Sequence, residues 1–477
     1  RPRGSDKATP AMADVDVKGS AGPTPLLAWS AEARISFALA VPLVLTQVGQ
    51  VAMFTTDLML IGRLGDTYLA AGALAHTILF SAFIFGMGIM SAVAPLTAQA
   101  VGARDAVMIR RSLRVGIHAA IAIGFPFVGL QLAAEPILLA IGQAPETSAL
   151  AGTYLYGLAW SVVPAWIFFA MRGYMSALDR PQPGMWIMLA AIPLNVALAY
   201  LLIYGGLGLP ALGIIGAGIA TTIVNVLMCI AAAAAIRADR HLNQYEPLVR
   251  LWRPDWEQFR SLFVIGTPIG AAFFMEHGLF AIAVLFAGLI STAALASHQI
   301  AMQMASLAFM VPLGIGQAAA VRVGYWYGAR NPVAAQQAGW VGLTLTAVST
   351  TIVMIAAWAT AGHIPELFLG AETPDNADTF RLAPTLVIIA ACFFVIDGLQ
   401  CVTCGILRGY NDTRPLFFYS TFSFWVVGVP VLWLLAFTFG FGAPGLWVGL
   451  TLALLVYAAL LIRRFRHTSA RHIGTVS

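Results

Sequence analysis

The chain has 477 residues, of which 60% are hydrophobic and only 10% are charged. Soluble domains carry about 25% charged residues, so this composition excludes a soluble multidomain protein and predicts an integral membrane protein. The formal net charge of +5 comes from Lys and Arg beside apolar stretches. It therefore indicates membrane topology and contact with anionic lipid, and it does not indicate nucleic-acid binding. The lipid bilayer is the first partner that we expect.

The first 29 residues are rich in Pro, Gly, Ala and charge, which predicts a disordered cytoplasmic tail. Because the chain opens with Arg1, Met12 is a candidate start. Beyond the tail, twelve stretches are long enough to cross a bilayer, for which roughly 20 apolar residues are needed. We place these spans near residues 34–61, 69–95, 113–134, 149–171, 184–204, 211–236, 261–287, 293–320, 337–361, 383–406, 416–439 and 445–462.

The sequence repeats itself with an offset of 226 positions. Aligned residues include Phe37 with Phe263, Pro42 with Pro268, Gly62 with Gly288, and Gly102-Ala103-Arg104 with Gly328-Ala329-Arg330. A further pairing aligns Arg172-Gly173-Tyr174 with Arg408-Gly409-Tyr410. Duplicated sets of membrane spans are typical of secondary transporters, in which two similar halves move about a site between them. The repeat therefore favours transport.

We predict an all-α polytopic membrane protein with twelve transmembrane helices in two pseudo-symmetric six-helix lobes. Residues 30–236 form the N-lobe (spans 1–6), and residues 261–462 form the C-lobe (spans 7–12). A cytoplasmic linker, residues 237–260, joins lobes of the same topology, so the repeat is parallel. Residues 463–477 form a basic C-terminal tail. All Lys and Arg except Arg63 and Arg381 fall on the side of the N-terminus, which predicts that both termini are cytoplasmic.

Two carboxylates lie near the middle of C-lobe spans, Glu276 in span 7 and Asp397 in span 10. An ionisable group in the hydrocarbon costs about 2.5–3.5 kcal/mol on insertion scales, so each is a functional candidate. Two carboxylates facing one cavity can hold one proton between them or coordinate a small hard cation. We expect no Lys or Arg at their depth to form a structural ion pair. The alternative is that helix–helix hydrogen bonds neutralise each acid.

Asp57, in the outer third of span 1, is a third candidate, and the alternative is that it forms a hydrogen bond with a loop. Its expected neutral neighbour is Asn195 on span 5. The repeat places Gln50 opposite Glu276 and Ala283 opposite Asp57. The two halves are therefore predicted to carry different chemistry.

Other residues within the spans are secondary candidates. His298 and Gln299 on span 8 are auxiliary candidates, against the alternative of an interhelical hydrogen bond for the histidine. Pro42 and Pro268, at equivalent positions of spans 1 and 7, break the helical ladder and are either hinges or tolerated kinks. No phosphate-binding loop, metal-binding cluster or catalytic triad pattern occurs in the sequence, so we predict neither an ATP-driven pump nor an enzyme, and no cofactor.

The chain resembles the multidrug and toxic compound extrusion (MATE) family, in its NorM-like branch, over about residues 30–463. The matching stretches are PLVLTQVGQVAMFTTDLMLIGRLG, IPLNVALAYLLIYG, TPIGAAFFMEHGLFA, ASHQIAMQMASLAFMVPLGIGQAAAVRVGYWYGA and VIDGLQCVTCGILRGYND. The resemblance implies two six-helix lobes in a V shape and export of cationic, amphipathic drugs in exchange for Na+ or H+. It also implies that Glu276 and Asp397 form the C-lobe cation site, which would hold the metal ion if the ion is Na+, and that Asp57 is the N-lobe acid. We expect a monomer in the bacterial inner membrane.

Two departures from the family pattern bear on the coupling ion. Some relatives have Tyr four residues before the span 10 acid, where this chain has Phe393, which removes an oxygen that would favour Na+. Relatives of another branch have a second acid on span 5, where this chain has Ala199. Both ions therefore stay open. The alternative functions are a lipid-linked oligosaccharide flippase, whose cavity should be lined with Arg to hold phosphate, and a membrane enzyme or scaffold.

Overall fold

We describe residues 28–474 of a computed structural model, except residues 207, 209, 371 and 375 and the side chains of residues 66, 78, 79, 81 and 82. Within these residues the chain is helical, and twelve stretches are long and apolar enough to cross a membrane. The predicted all-α architecture with twelve spans is confirmed. Residues 1–27, which hold Met12 and nearly all of the predicted tail, lie outside the described residues.

The first six spans form the N-lobe. Their helices are Trp29–Gly62 (span 1), Asp66–Met90 and Val93–Gly102 (span 2), Ala106–Leu132 (span 3), Pro145–Leu158 and Val162–Ala177 (span 4), Gln182–Tyr204 (span 5) and Ile214–Ala238 (span 6). A short helix, Ala134–Ala140, connects spans 3 and 4. Span 1 begins five residues before the predicted start near residue 34, so its first turns include Glu32.

The last six spans form the C-lobe. Their helices are Trp256–Ile290 (span 7), Thr292–Gly328 (span 8), Pro332–Thr360 (span 9), Ala377–Gly409 (span 10), Arg414–Thr438 (span 11) and Gly442–Gly474 (span 12). Span 11 contains two wider π-helical turns, Phe422–Gly428 and Leu434–Thr438, and Ile364–Leu369 is a short helix between spans 9 and 10. Between the lobes lies another short helix, Arg240–Asn243.

The helix of span 12 continues to Gly474, through most of the segment assigned to the basic tail. Arg464 donates to both carboxylate oxygens of Asp412, at 2.6 and 3.0 Å, and Thr468 donates to the same carboxylate at 2.7 Å. Because Arg464 and Thr468 are four residues apart, both side chains lie on one helix face. The acid therefore holds this polar extension in helical form against the end of the C-lobe.

The repeated Gly-Ala-Arg sequence forms the same turn in both lobes. Arg104 and Arg330 adopt left-handed φ values of 56° and 55°. The residues that follow them, Asp105 and Asn331, cap spans 3 and 9 by accepting a hydrogen bond from the backbone N–H three residues later. Such a cap typically contributes about 1 kcal/mol. A local sequence signal thus sets the start of the third span in each lobe.

Glycines allow the two lobes to meet backbone to backbone. At six positions an added Cβ would collide with the backbone of the other lobe: Gly102 with Tyr325, Gly328 with Gln99, Gly88 with Gly270, Gly314 with Val44, Gly266 with Ile89, and Gly270 with Phe85. The repeat offset maps the first contact onto the second and the third onto the fourth, so a pseudo-two-fold axis runs through the junction. Small residues are required wherever membrane helices pack this closely. Residues of spans 1, 2, 7 and 8 form this junction.

Candidate functional site

One amide side chain joins the two predicted C-lobe acids. Gln400 Nε2 donates to Glu276 Oε1 at 2.9 Å and to Asp397 Oδ1 at 3.1 Å. Asp397 is buried and Glu276 is partly buried. Among the described residues, neither acid forms an ion pair with Lys, Arg or His. The group therefore contains two acids, one shared neutral donor and no cationic side chain to balance them.

Helical periodicity places both acids inside the C-lobe. Glu276 falls in the series of span 7 residues that face the lobe interior at spacings of three and four. The buried members of this series are Leu262, Ile265, Ile269, Ala272, Leu279, Ala283 and Ala287. On span 10, Asp397 and Gln400 are three residues apart and so lie on one face of the helix. The amide can therefore bond to its own helix neighbour and to the facing acid at once.

The contacts of Gln400 on its other side orient the amide. Cys404 Sγ donates to Gln400 Oε1 at 3.8 Å and lies 3.6 Å from the hydroxyl of Tyr457, which donates to the carbonyl of Leu416 at 3.3 Å. With its oxygen turned toward Cys404, the amide presents its nitrogen to the two acids. Cys401 and Cys404 are both free and buried. The second cysteine belongs to the polar network of the site.

An aromatic layer contains two other predicted residues. The ring centroid of Phe393 lies 6.0 Å from that of Phe280 and 5.6 Å from that of Trp447. His298 is fully buried, with its ring centroid 5.5 Å from that of Trp447. Gln299, the next residue along span 8, is exposed and does not join this layer. Phe393 thus supplies a ring where a tyrosine would supply a hydroxyl.

The N-lobe acid has a different environment. Asp57 accepts a hydrogen bond from Asn195 Nδ2 at its Oδ1 and from Thr221 Oγ1 at its Oδ2, at 2.5 and 2.7 Å. All three residues are buried, and they come from spans 1, 5 and 6. The predicted pairing of Asp57 with Asn195 is present in the structure. Each carboxylate oxygen has its own neutral donor, so this acid shares its donors with no second acid.

A line of rings runs from the N-lobe to the C-lobe beside these sites. Phe54 on span 1 contacts His76 on span 2, with ring centroids 3.7 Å apart. His76 contacts Phe80 at 5.4 Å, and Phe80 contacts His277 on span 7 at 5.6 Å. His277 follows Glu276 in sequence and points about 100° away from it around the helix. The acid therefore faces the C-lobe interior while the histidine faces the N-lobe.

The two hinge candidates lie within continuous helices. Pro42 is buried in span 1, and Pro268 interrupts the hydrogen-bond ladder of span 7 without ending it. Thr46 Oγ1 donates to the carbonyl of Pro42 at 2.7 Å. The role of either proline as a hinge stays a prediction.

A buried ion pair joins the lobes at the start of span 1 and near the end of span 8. Arg322 on span 8 donates from Nε and Nη2 to the two carboxylate oxygens of Glu32 on span 1, at 2.7 and 2.5 Å. Beside it, Gln99 on span 2 donates to the carbonyl of Gly409 and accepts from Asn411 Nδ2, both at 2.8 Å. These bonds and the glycine contacts together hold the two lobes against each other.

Sequence reasoning missed several residues of these sites. Gln400 could have been found from its position three residues after Asp397, on the same helix face. Thr221 sits in an apolar span with no feature that distinguishes it from other membrane threonines, which commonly bond their own helix. Glu32 lies before the predicted start of span 1 near residue 34, although an acid in the first turns of an apolar helix needs a partner. The role of each of these residues depends on a hydrogen-bond or ion-pair partner that is distant in sequence.

Twelve spans in two repeated lobes, buried carboxylates within the spans, and a close-packed junction between the lobes are typical of a multi-pass transporter. The MatE family model matches residues 42–201 and 268–434, one segment in each lobe. The chain belongs to this family, and it is therefore a transporter and not an enzyme.

The sequence relatives agree with this assignment. Over 436 residues the chain is 49% identical to the probable multidrug resistance protein NorM of Bradyrhizobium diazoefficiens, covering 91% of this chain and 93% of that protein. It is 48% identical over 447 residues to the protein of the same name from Rhodopseudomonas palustris, covering 94% of each. The resemblance to the NorM-like branch is confirmed. With twelve spans and these relatives, the protein is a multi-pass bacterial membrane protein.

Solved structures share the fold. A multidrug resistance MATE family transporter of the MOP superfamily, solved in an outward-facing conformation, matches with a TM-score of 0.83 and 18% identity, covering 93% of this chain and 97% of that one. The eukaryotic MATE transporter AtDTX14 matches with a TM-score of 0.82 and 20% identity, covering 94% of this chain and 100% of that one. At such low identity these likenesses show the fold alone.

Proposed function

We propose that the protein is a secondary antiporter that exports cationic, amphipathic drugs and toxic compounds in exchange for Na+ or H+ by alternating access. The observation that carries this proposal is the C-lobe pair, Glu276 and Asp397, joined through Gln400. Buried acids without a basic partner are neutralised by taking up a proton, a metal cation or a cationic compound. A site that holds one of these at a time exchanges them. The relatives named as probable multidrug resistance proteins support drug export.

Gln400 determines how an ion enters the pair. Its Nε2 bonds to both acids in this conformation. A proton bound to either acid removes one negative charge and adds a donor between the two carboxyl groups. A hard cation such as Na+ needs oxygen ligands, which the carboxylates supply and to which Gln400 Oε1 is added when the amide rotates by 180°. Either ion displaces the amide N–H from at least one acid.

The substrate class follows from the charge of the site. A lipophilic cation in a low-dielectric cavity needs a counter-charge, and Glu276 and Asp397 are the mid-span acids of the C-lobe. The rings of Phe54, His76 and Phe80 lie along the path between the lobes, and aromatic faces attract cations. These features favour cationic, aromatic compounds over anionic ones.

Alternating access requires a junction that opens and closes. On the cytoplasmic side the lobes are joined by the Glu32–Arg322 ion pair and by the Gln99–Asn411 hydrogen bond. We assign this conformation to the state that is closed to the cytoplasm. Opening toward the cytoplasm separates spans 1 and 2 from spans 7 and 8 and breaks these contacts. In this proposal Pro42 and Pro268 absorb the bending of spans 1 and 7.

The same proposal includes the setting of the protein. We propose that the chain acts as a monomer in the inner membrane, with both termini in the cytoplasm. The distribution of Lys and Arg supports this orientation, since positively charged connections are retained inside. Labelling of single cysteines placed at Arg63 and at Arg471 in intact cells tests it, because only the first should react with an impermeant reagent.

Transport by purified protein in liposomes tests the coupling. Ethidium-loaded vesicles are given either a Na+ gradient or a pH gradient alone, and the initial rate of ethidium movement is measured. Acceleration by one gradient identifies the coupling ion, and acceleration by both indicates that the two ions share the site. Movement that responds to neither gradient would reject antiport.

A further inference from the structure

Two buried arginines face one pocket on the cytoplasmic side of the junction. Arg172 on span 4 is 4% exposed, and Arg408 on span 10 is 3% exposed. Both line a pocket of about 20 Å³ whose other walls come from spans 1, 2 and 8. The distribution of Lys and Arg predicts that both residues lie at the cytoplasmic ends of their spans, but nothing in the sequence indicates that they are buried together. They are not part of the carboxylate sites.

The guanidinium groups lack a negative partner. In the part of the chain that the structure describes, neither arginine forms an ion pair, and Nη2 of each has no hydrogen-bond partner. Arg408 Nε donates to the carbonyl of Cys404 at 3.2 Å, and Arg172 lies 4.7 Å from the ring centroid of Phe169. These contacts are too weak to replace a counter-ion, because a buried cation needs a paired charge.

The repeat shows that the pocket lies on the pseudo-two-fold axis. Its two arginines come from the aligned Arg-Gly-Tyr sequences, and an added Cβ on the following residues, Gly173 and Gly409, would contact Ala94 and the carbonyl of Ala320. Ala94 and Ala320 are equivalent under the offset of 226 positions, and both line the pocket. The pocket thus receives one cationic group from each lobe, and two like charges near one axis repel each other.

We propose that this pocket binds one small monovalent anion of the halide class, such as chloride, between Arg172 and Arg408. Two unpartnered guanidinium nitrogens supply the charge and the donors that an anion requires. The volume of the pocket limits the size of the anion, because about 20 Å³ admits a single water-sized species. A phosphate, a sulfate or a lipid headgroup is larger than this pocket.

An anion at this position stabilises the closed junction. Its ligands come from both lobes, so it binds well only when the lobes meet, and a ligand shifts an equilibrium toward the state that it prefers. When the lobes separate, both arginines become accessible to water and lose their shared partner. Halide binding and cytoplasmic closure are therefore linked. This linkage does not depend on which ion the carboxylates exchange.

Equilibrium binding of radioactive chloride to the purified full-length protein in detergent tests the proposal. We expect about one chloride per chain, displaced by bromide and not by sulfate or gluconate. In parallel, chloride should raise the midpoint of thermal unfolding above that in gluconate at equal ionic strength. Absence of stoichiometric chloride binding, or an equal effect of sulfate and chloride on the midpoint, would overturn the site.

Variants locate the binding. Arg172→Gln and Arg408→Gln should each lose chloride binding and the chloride-dependent rise in the unfolding midpoint. Arg180→Gln and Arg414→Gln are matched controls, since both residues are exposed a few positions beyond the arginines of the pocket, and they should bind chloride as the wild type does. If Arg172→Gln fails to fold, Arg172→Lys is tested in its place. This variant keeps the positive charge and should retain part of the chloride binding. Chloride binding that survives in both glutamine variants would place the anion elsewhere.

Discussion

The C-lobe and the N-lobe share a fold and differ in how they hold their buried acids. In the C-lobe, Glu276 and Asp397 share the single amide nitrogen of Gln400. In the N-lobe, Asp57 alone receives hydrogen bonds from Asn195 and Thr221. The C-lobe therefore has more negative charge than its donors can balance, while the N-lobe acid is satisfied by neutral partners.

This difference shows that a few polar substitutions are enough to give the two halves of a duplicated fold different chemistry. The repeat places Gln50 where the C-lobe has Glu276, and Ala283 where the N-lobe has Asp57. The helices keep the same contacts at the junction, because the glycines that permit them are kept. We propose that the lobe with unbalanced charge takes up the ion and that the other lobe has a supporting role.

The largest expected effect comes from removing either C-lobe charge. Glu276→Gln and Asp397→Asn should each lower ethidium transport by more than about tenfold, a loss of at least ~1.4 kcal/mol in coupling. The amides keep the size of the acids and cannot take up a proton or serve as anionic ligands. Initial rates in liposomes measure the effect.

Matched controls lie on the same two helices. Glu257 on span 7 and Asp378 on span 10 are exposed, so Glu257→Gln and Asp378→Asn remove the same charges outside the site and should transport at the wild-type rate. Asp57→Asn should lose less activity than either C-lobe variant. An equal loss in all three site variants would contradict the asymmetry between the lobes.

A second large effect is expected where the lobes meet. Glu32→Gln leaves Arg322 without its carboxylate, and breaking a buried pair in this way typically costs about 3–5 kcal/mol. We expect a lower thermal unfolding midpoint and easier opening of the cytoplasmic junction, measured by spin-label distances between spans 1 and 8. The double variant Glu32→Gln/Arg322→Met should recover part of the stability. A single variant as stable as the wild type would show that the pair is not needed for closure.

An intermediate effect is expected from the shared amide. Gln400→Leu removes one donor from both acids, and a net hydrogen bond contributes about 0.5–1.5 kcal/mol, so transport should fall several-fold and not be abolished. Thr221→Val removes one of two donors from Asp57 and should change transport by less than about twofold, ~0.4 kcal/mol. Comparing the two rates in one preparation measures how strongly each lobe depends on its neutral donors. A larger loss for Thr221→Val would reverse the assignment.

The smallest effect concerns the choice of ion. Phe393→Tyr adds a hydroxyl one helical turn from Asp397 in span 10, in a layer where Phe393 now packs against Phe280 and Trp447. If the hydroxyl reaches the acids, it supplies an oxygen ligand, and transport driven by a Na+ gradient should rise relative to transport driven by a pH gradient. The ratio of the two rates in wild type and variant is the measurement. An unchanged ratio would mean that this position does not select the ion.

Much of the fold could be predicted because its signals are local. Span length, apolar composition and the repeated Gly-Ala-Arg turn are read from neighbouring residues. Glu276 and Asp397 could be singled out because charge in the hydrocarbon is costly wherever it occurs. The extension of span 12 to Gly474 could not be predicted, since this extension depends on Asp412, which is distant from Arg464 and Thr468 in sequence.

The sequence by itself determined a twelve-span protein of two related lobes, and it singled out the acids that we propose carry its chemistry, because hydrophobicity and periodicity act along the chain. Only the tertiary structure decided which polar groups meet. It joined Gln400 to both acids, Thr221 to Asp57, and Glu32 to Arg322, and it brought Arg172 and Arg408 to one pocket. The reason is physical: a buried polar group is satisfied by whatever lies across the helix interface, and that neighbour is fixed by packing between distant segments.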